Sequence, residues 1–333
     1  MRPKVLILTP RSWQATSMTD EACQLLSEFA DVRRNEGARP LTVEEKRSML
    51  PGVQAVVCAG AAGLAPEDFA AADELRLIGV LGHSVRGVSP EAALARGITI
   101  VNTAAAHGWS VAEMALGLML CCLREIPLLD RRMRAGEWQE SRRQTSDLVG
   151  RTVGLLGLGA VARQLITLLV PFRPTILGHD PYVAEADLAE LPLPVRLVGL
   201  DEMLRSVDVL SIHAGMTDET RHLLGARELG LLRDGAVIVN TARGGIIDQD
   251  ALVERLAAGT LGAGLDVYAA EPLPASSPLR RLENVVLTPH AGGMTAQMYR
   301  RRALSIAHDI RRFFAGEPLP HALTLDQIRR HSS

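Results

Sequence analysis

Short apolar runs alternate with helix-like stretches from one end of this 333-residue chain to the other. That alternation commits the backbone to βαβ units and hence to parallel sheets. In the first third the strand candidates are Val5–Leu8, Ala55–Cys58, Leu75–Val80 and Ile98–Val101. A second series begins at Thr152, with Thr152–Leu156, Thr175–Gly178, Val195–Val198, Val209–His213, Ala236–Thr241, Ala263–Val267 and Val285–Thr288. Helix signals fill the gaps. Thr42 and Glu45 have capping-box spacing, Ser89-Pro90 and Gly97 bracket a short helix, and Gly259 stops one over Asp250–Ala258. A longer helix is expected to open at Ser110, with Glu113 as its box partner, and to be interrupted near Pro127.

A chain of this length exceeds what a single core supports. The two strand series therefore predict an α/β protein with two doubly wound, Rossmann-like parallel-sheet domains and a cleft between them. A final helix, about Ala296–Phe314 and ended by Gly316, would carry the chain back to the first domain. That domain is then discontinuous, 1–104 plus 296–333, and flavodoxin-like; the second spans 105–295.

The formal charge is -2, which gives no net field to attract nucleic acid or an anionic membrane. The clusters Arg131-Arg132, Arg142-Arg143 and Arg300-Arg301-Arg302 have acids nearby and read as solvated faces. Cys23, Cys58, Cys121 and Cys122 show no CxxC spacing, as expected for reduced thiols in a cytoplasmic protein. The first apolar run is four residues long, too short for a signal peptide or a membrane span. The nine histidines have no HxH or HExxH spacing, so no metal is expected.

The second series opens on Thr152-Val-Gly-Leu-Leu-Gly157-Leu-Gly159-Ala160-Val161-Ala162, which runs from strand through glycines into a helix pattern. Gly157 permits the tight turn and Gly159 lets a pyrophosphate approach the backbone. The phosphates would meet the helix start at Ala160 and Val161. The next strand ends at Asp180, 23 positions after Gly157, near the spacing of about 20 for an acid that binds the adenosine ribose. A carboxylate there accepts from ribose hydroxyls and repels a 2′-phosphate, so the expected cofactor is NAD rather than NADP. The alternative role for Asp180 is to cap the turn before Pro181; the register of strand, glycines and acid favours the ribose.

In doubly wound sheets, ligands sit outside the carboxyl ends of the strands. Asn240-Thr241-Ala242-Arg243 follows one strand here, Asp266 closes the next, Glu271 comes just after it, and Thr288-Pro289-His290 closes the last. Reduction of a 2-keto acid needs a cation for the carboxylate and carbonyl, which the planar fork of Arg243 suits. It also needs a proton for the nascent alkoxide, which His290 can supply or remove. A carboxylate beside that histidine, Glu271, would raise its pKa and fix its tautomer.

Gly157-Leu-Gly159, Asn240-Thr-Ala-Arg243-Gly244, Gly264-Leu-Asp266-Val and Thr288-Pro-His290 resemble the motifs of the D-isomer-specific 2-hydroxyacid dehydrogenases. Asn102-Thr103, Ser110-Val-Ala-Glu113 and Thr217-Asp-Glu-Thr220 extend the likeness over nearly the whole chain. The resemblance implies an NAD-dependent oxidoreductase acting on a small 2-hydroxy or 2-keto acid, with Arg243, Glu271 and His290 as the catalytic set. It implies further that Asp266 holds the nicotinamide carboxamide, that His213, Thr241 and Arg243 border the nicotinamide ribose, and that Ala242 and His290 also contact the cofactor. It also implies a homodimer formed through the cofactor domain.

Three stretches depart from the family pattern. In Gly82-His83-Ser84-Val85-Arg86-Gly87, the loop whose amides would cradle the substrate carboxylate, Ser84 replaces a glycine and Arg86 stands where an acid is common. His83, Ser84 and Arg86 are thus candidate substrate contacts. His107-Gly108-Trp109 implies a bulkier pocket wall, and Gly215 replaces a frequent proline after His213. The competing reading is a non-catalytic protein that binds NADH as a redox signal on the same fold.

Overall fold

The computed structural model describes residues 2–82, 84–138, 145–325 and 327–328, with only the backbone of Arg86. Arg142, Arg143 and His83 lie outside the described residues. The chain forms two compact units, Met1–His107 with Met294–Ser333, and Gly108–Gly293. The boundaries expected at 104/105 and 295/296 therefore fall at 107/108 and 293/294.

The first unit holds five parallel strands, β1 (Lys4–Ile7), β2 (Asp31–Arg34), β3 (Ala55–Cys58), β4 (Leu77–Val80) and β5 (Thr99–Asn102), in the order β2-β1-β3-β4-β5. This is the flavodoxin-like order. Successive side chains enter opposite cores, as the two-residue period of a strand requires. Leu6, Val56, Cys58, Ile78 and Ile100 pack on one face, and Val5, Ile7, Ala55, Val57 and Leu77 on the other. The second face is closed by the helices Asp20–Phe29 and Ala296–Ala315, the latter through Ala303, Ile306, Ala307 and Ile310. β2 is absent from the sequence expectation because Asp-Val-Arg-Arg carries no apolar run. It is a half-exposed edge strand paired to β1 alone, where charged residues are favoured.

The second unit holds β6 (Thr152–Leu156), β7 (Thr175–His179), β8 (Val195–Leu197), β9 (Val209–Ile212), β10 (Val237–Asn240), β11 (Gly262–Leu265) and β12 (Val285–Leu287), all parallel, in the order β12-β11-β10-β9-β6-β7-β8. The chain reverses its direction of travel across the sheet between β6 and β9, and a ligand crevice opens at such a switch point. The long helix runs Gly108–Leu123, two residues ahead of the expected start. Ser110 lies buried in its first turn instead of capping it. The span 104–123 is apolar and long enough to cross a bilayer. Its Ala112, Ala115, Leu118 and Met119 are buried in the core that includes Val153, Leu155 and Leu165.

The other helix signals hold. Thr42 and Glu45 form the capping box, and Gly97, Gly259 and Gly316 end their helices with positive φ. Arg302 departs from the solvated-face reading: it donates to the Thr16 carbonyl and lies 5.2 Å from the Tyr299 ring centre.

One ion pair braces the loops beyond β3 and β4. Lys46 is 12% exposed and its partner Asp68 is fully buried. The ammonium also donates to the Gly63 carbonyl at 3.2 Å, and Leu64 N donates to the Gly87 carbonyl at 2.9 Å. Lys46→Met leaves Asp68 buried without its cation. It is expected to destabilise the first unit by about 3 kcal/mol in urea unfolding, with recovery in the Lys46→Met/Asp68→Leu double variant.

Candidate active site

The strand-to-helix turn after β6 is shaped by two glycines with different tasks. Gly157 has a φ of +89°, and a Cβ on it would stand 2.6 Å from Ala214 N and 2.9 Å from the His213 carbonyl carbon. Only glycine lets this turn fold that closely against the end of β9. A Cβ on Gly159 would meet nothing within 4 Å, so this backbone faces open space. The helix Ala160–Leu169 begins there with no side-chain cap, so the amides at Ala160 and Val161 present the positive end of the helix dipole.

Asp180, just past β7, accepts from Leu158 N at 2.9 Å through Oδ2 and from Tyr182 N at 3.0 Å through Oδ1. The turn-capping contact weighed against a ribose role is therefore present. The same carboxylate reaches back to the glycine turn and so stands beside the uncapped helix start.

His213 and Thr241 follow β9 and β10. Part of His213 reaches the surface, but both ring nitrogens are sealed from solvent, as is the Thr241 hydroxyl. None of these three atoms has a hydrogen-bond partner among the described residues. Buried polar atoms of this kind are normally satisfied, so orphaned donors and acceptors beside a phosphate cradle fit a dinucleotide that completes them. Burial pushes the His213 pKa down to about 4.

Past β10, Asn240 is buried and braces its own loop, accepting from Ala242 N and donating to the Arg243 carbonyl, both at 3.0 Å. Arg243 itself is half-buried and donates to the Ala242 carbonyl at 2.8 Å.

Past β11 and β12 the remaining two members of the expected set meet directly. His290 Nδ1 lies 2.6 Å from Glu271 Oε2, and Glu271 Oε1 accepts from Tyr268 N at 3.0 Å. His290 has a φ of +54°, an uncommon backbone for a residue of its size and one often found at functional positions. The loop is held in that shape by Asp266, which is 1% exposed. Its Oδ1 accepts from the Thr288 hydroxyl at 2.5 Å and from Ala291 N at 2.8 Å, its Oδ2 from Gly292 N at 2.9 Å, and its carbonyl from His290 N at 2.8 Å. The resemblance assigned Asp266 to the nicotinamide. In the structure its carboxylate anchors the histidine loop.

In the first unit the loop 82–87 stands at the end of β4. Its Gly82 carbonyl accepts from Thr103 N at 3.2 Å and its N–H donates to the Thr103 hydroxyl at 2.9 Å, and Val85 is fully buried. Ser84 is exposed, whereas the side chains of His83 and Arg86 lie outside the described residues. His107 Nδ1 donates to the Thr103 carbonyl at 3.1 Å, burial lowers its pKa, and Trp109 is 39% exposed.

Residues 116–292 match the family profile described as D-isomer specific 2-hydroxyacid dehydrogenase, NAD binding domain. The chain belongs to this family. A D-3-phosphoglycerate dehydrogenase from Methanocaldococcus jannaschii is 33% identical over 98% of this chain and 60% of its own length. A hydroxypyruvate reductase from Thermotoga maritima is 34% identical over 87% of this chain and 94% of its own length. Among solved structures, an NADPH-dependent glyoxylate/hydroxypyruvate reductase from Sinorhizobium meliloti, in complex with NADP and malonate, superposes with a TM-score of 0.75 at 27% identity. It covers 99% of this chain and 98% of its own. This family member spans about half to six-tenths of the length of the phosphoglycerate dehydrogenases it matches. Its second unit is an NAD(P)-binding domain.

The sign of the His213 effect on stability follows from its burial. An unfolded histidine takes up its proton near pH 6.5, the folded one only near pH 4, so stability is lost as pH falls through that window. Between pH 7 and pH 5 the cofactor-free protein is expected to lose about 2 kcal/mol more than a His213→Asn variant, measured by urea unfolding.

Proposed function

We propose that this chain is an oxidoreductase transferring a hydride between NAD(H) and a small 2-hydroxy or 2-keto acid. The contact of His290 Nδ1 with Glu271 Oε2 at 2.6 Å carries the reading. An ionised carboxylate only accepts, so Nδ1 is the donor and Nε2 is the nitrogen left to exchange a proton with substrate. The bound dinucleotide supplies or takes the hydride.

In the reducing direction the protonated Nε2 of His290 gives its proton to the substrate oxygen as charge develops there. Glu271 stabilises the imidazolium and holds the ring in place, with its other oxygen tied to Tyr268 N. Arg243 binds the substrate carboxylate and polarises the carbonyl. In the oxidising direction neutral Nε2 takes the hydroxyl proton.

Asp180 supports NADH over NADPH, since a 2′-phosphate placed beside its carboxylate is repelled. The four unpaired cysteines support a reducing, cytoplasmic setting. The exposed Ile126, Met133 and Trp138 of the second unit support a homodimer formed through that unit.

The test is NADH oxidation by the purified protein against glyoxylate, hydroxypyruvate, pyruvate and larger branched or aromatic 2-keto acids, with NADPH in parallel. Turnover at least about tenfold faster with NADH is expected, and His290→Asn should lower kcat by about a hundredfold or more. Tight NADH binding without turnover on any of these acids overturns the proposal in favour of a redox-sensing binding protein.

A further inference from the structure

The loops bearing Arg243, Glu271 and His290 converge on one residue that the expected catalytic set does not include. Tyr268 lies in the turn after β11 and is 8% exposed. Its hydroxyl is 2.7 Å from the Thr288 carbonyl oxygen and 3.0 Å from the Leu265 carbonyl oxygen. The phenol thus lends its single proton to the carboxyl ends of β12 and β11, two residues ahead of His290. Its backbone N–H donates to Glu271 Oε1 at 3.0 Å, on the carboxylate whose other oxygen meets His290. Its backbone carbonyl lies against the residue after Arg243. A Cβ on Gly244 would stand 2.0 Å from both the carbon and the oxygen of that group, so glycine alone permits the approach.

We propose that Tyr268 is a positioning residue for the hydride transfer, setting the spacing of the Glu271–His290 pair through its hydroxyl and the seat of the Arg243 loop through its backbone. The inference rests on the dehydrogenase reading of the site. A phenylalanine would fill the same space and keep both backbone contacts. What the hydroxyl adds is the donor on Thr288. Without it, the strand end before His290 is held by the Asp266 carboxylate and the ladder alone, and the Nδ1–Oε2 contact loses its fixed length. The buried phenol suits this duty, because burial pushes its pKa up to about 12 and it remains a donor at neutral pH.

Tyr268→Phe isolates the hydroxyl. With the best keto acid, kcat is expected to fall about fivefold to tenfold, the worth of one buried hydrogen bond, while KM stays within about twofold. In the same variant the downfield proton resonance of His290 Nδ1–H should move upfield. Combined with Glu271→Gln, the hydroxyl should matter less than it does in the wild type, because both changes act on one contact. A kcat within about twofold of wild type with an unmoved imidazole resonance overturns the proposal, whatever happens to the melting temperature. So do fully additive effects in the double variant. The resonance is read without substrate, so it still decides the role of Tyr268 if no acid is turned over, which by itself would refute only the dehydrogenase reading.

Discussion

A parallel strand can be rejoined only after a crossover, and every crossover returns the chain to the same edge of the sheet. In the second unit seven strands obey this rule, so seven strand ends open on one side. The glycine turn after β6, Asp180 after β7, His213 after β9, Arg243 after β10, Glu271 after β11 and His290 after β12 are gathered by that rule. The backbone needs no further device to assemble them. What the local sequence supplies is the shape of each turn, and those shapes are costly enough to require dedicated anchors.

The anchors are buried polar side chains at the strand ends. Asp266 holds the histidine loop from beneath through two amides and a hydroxyl, and Asn240 folds the arginine loop around its amide. Such fully satisfied buried polar groups rigidify their surroundings, whereas a half-satisfied one would destabilise them. His213 and Thr241 are the counter-examples on the same edge. Their polar atoms are sealed without partners, and they flank the place where a dinucleotide would lie. Satisfied groups build the protein half of the site, and unsatisfied ones mark the half that is completed by what binds.

Much of this was legible beforehand. Hydrophobic alternation located eleven of the twelve strands among the described residues, because strands buried on both faces are apolar at nearly every position. The twelfth, Asp31–Arg34, is an edge strand whose charges hide the signal. The pairing of Glu271 with His290 followed from strand ends and chemistry together. The capping sense of Ser110 did not survive, since Gly108 and the apolar residues around it extend the helix upstream of any cap. Tyr268 was illegible for a different reason. Its hydroxyl acts on two carbonyls distant in sequence, and main-chain acceptors leave no residue-specific trace. The anchoring of the histidine loop by Asp266 escaped likewise, because amide donors at 291 and 292 look like any others.

The first unit is assembled from both ends of the chain, and this orders events during synthesis. The ribosome releases β1 to β5 first, with one face of their sheet lacking Ala303, Ile306, Ala307 and Ile310. The contiguous second unit, 108–293, emerges whole before those residues exist. Domains generally fold as units in the order they are made. Here the half synthesised first is the half completed last, and until its closing helix arrives that sheet face is covered by the helix Asp20–Phe29 alone, which leaves part of it exposed as an apolar surface of the sort that chaperones recognise.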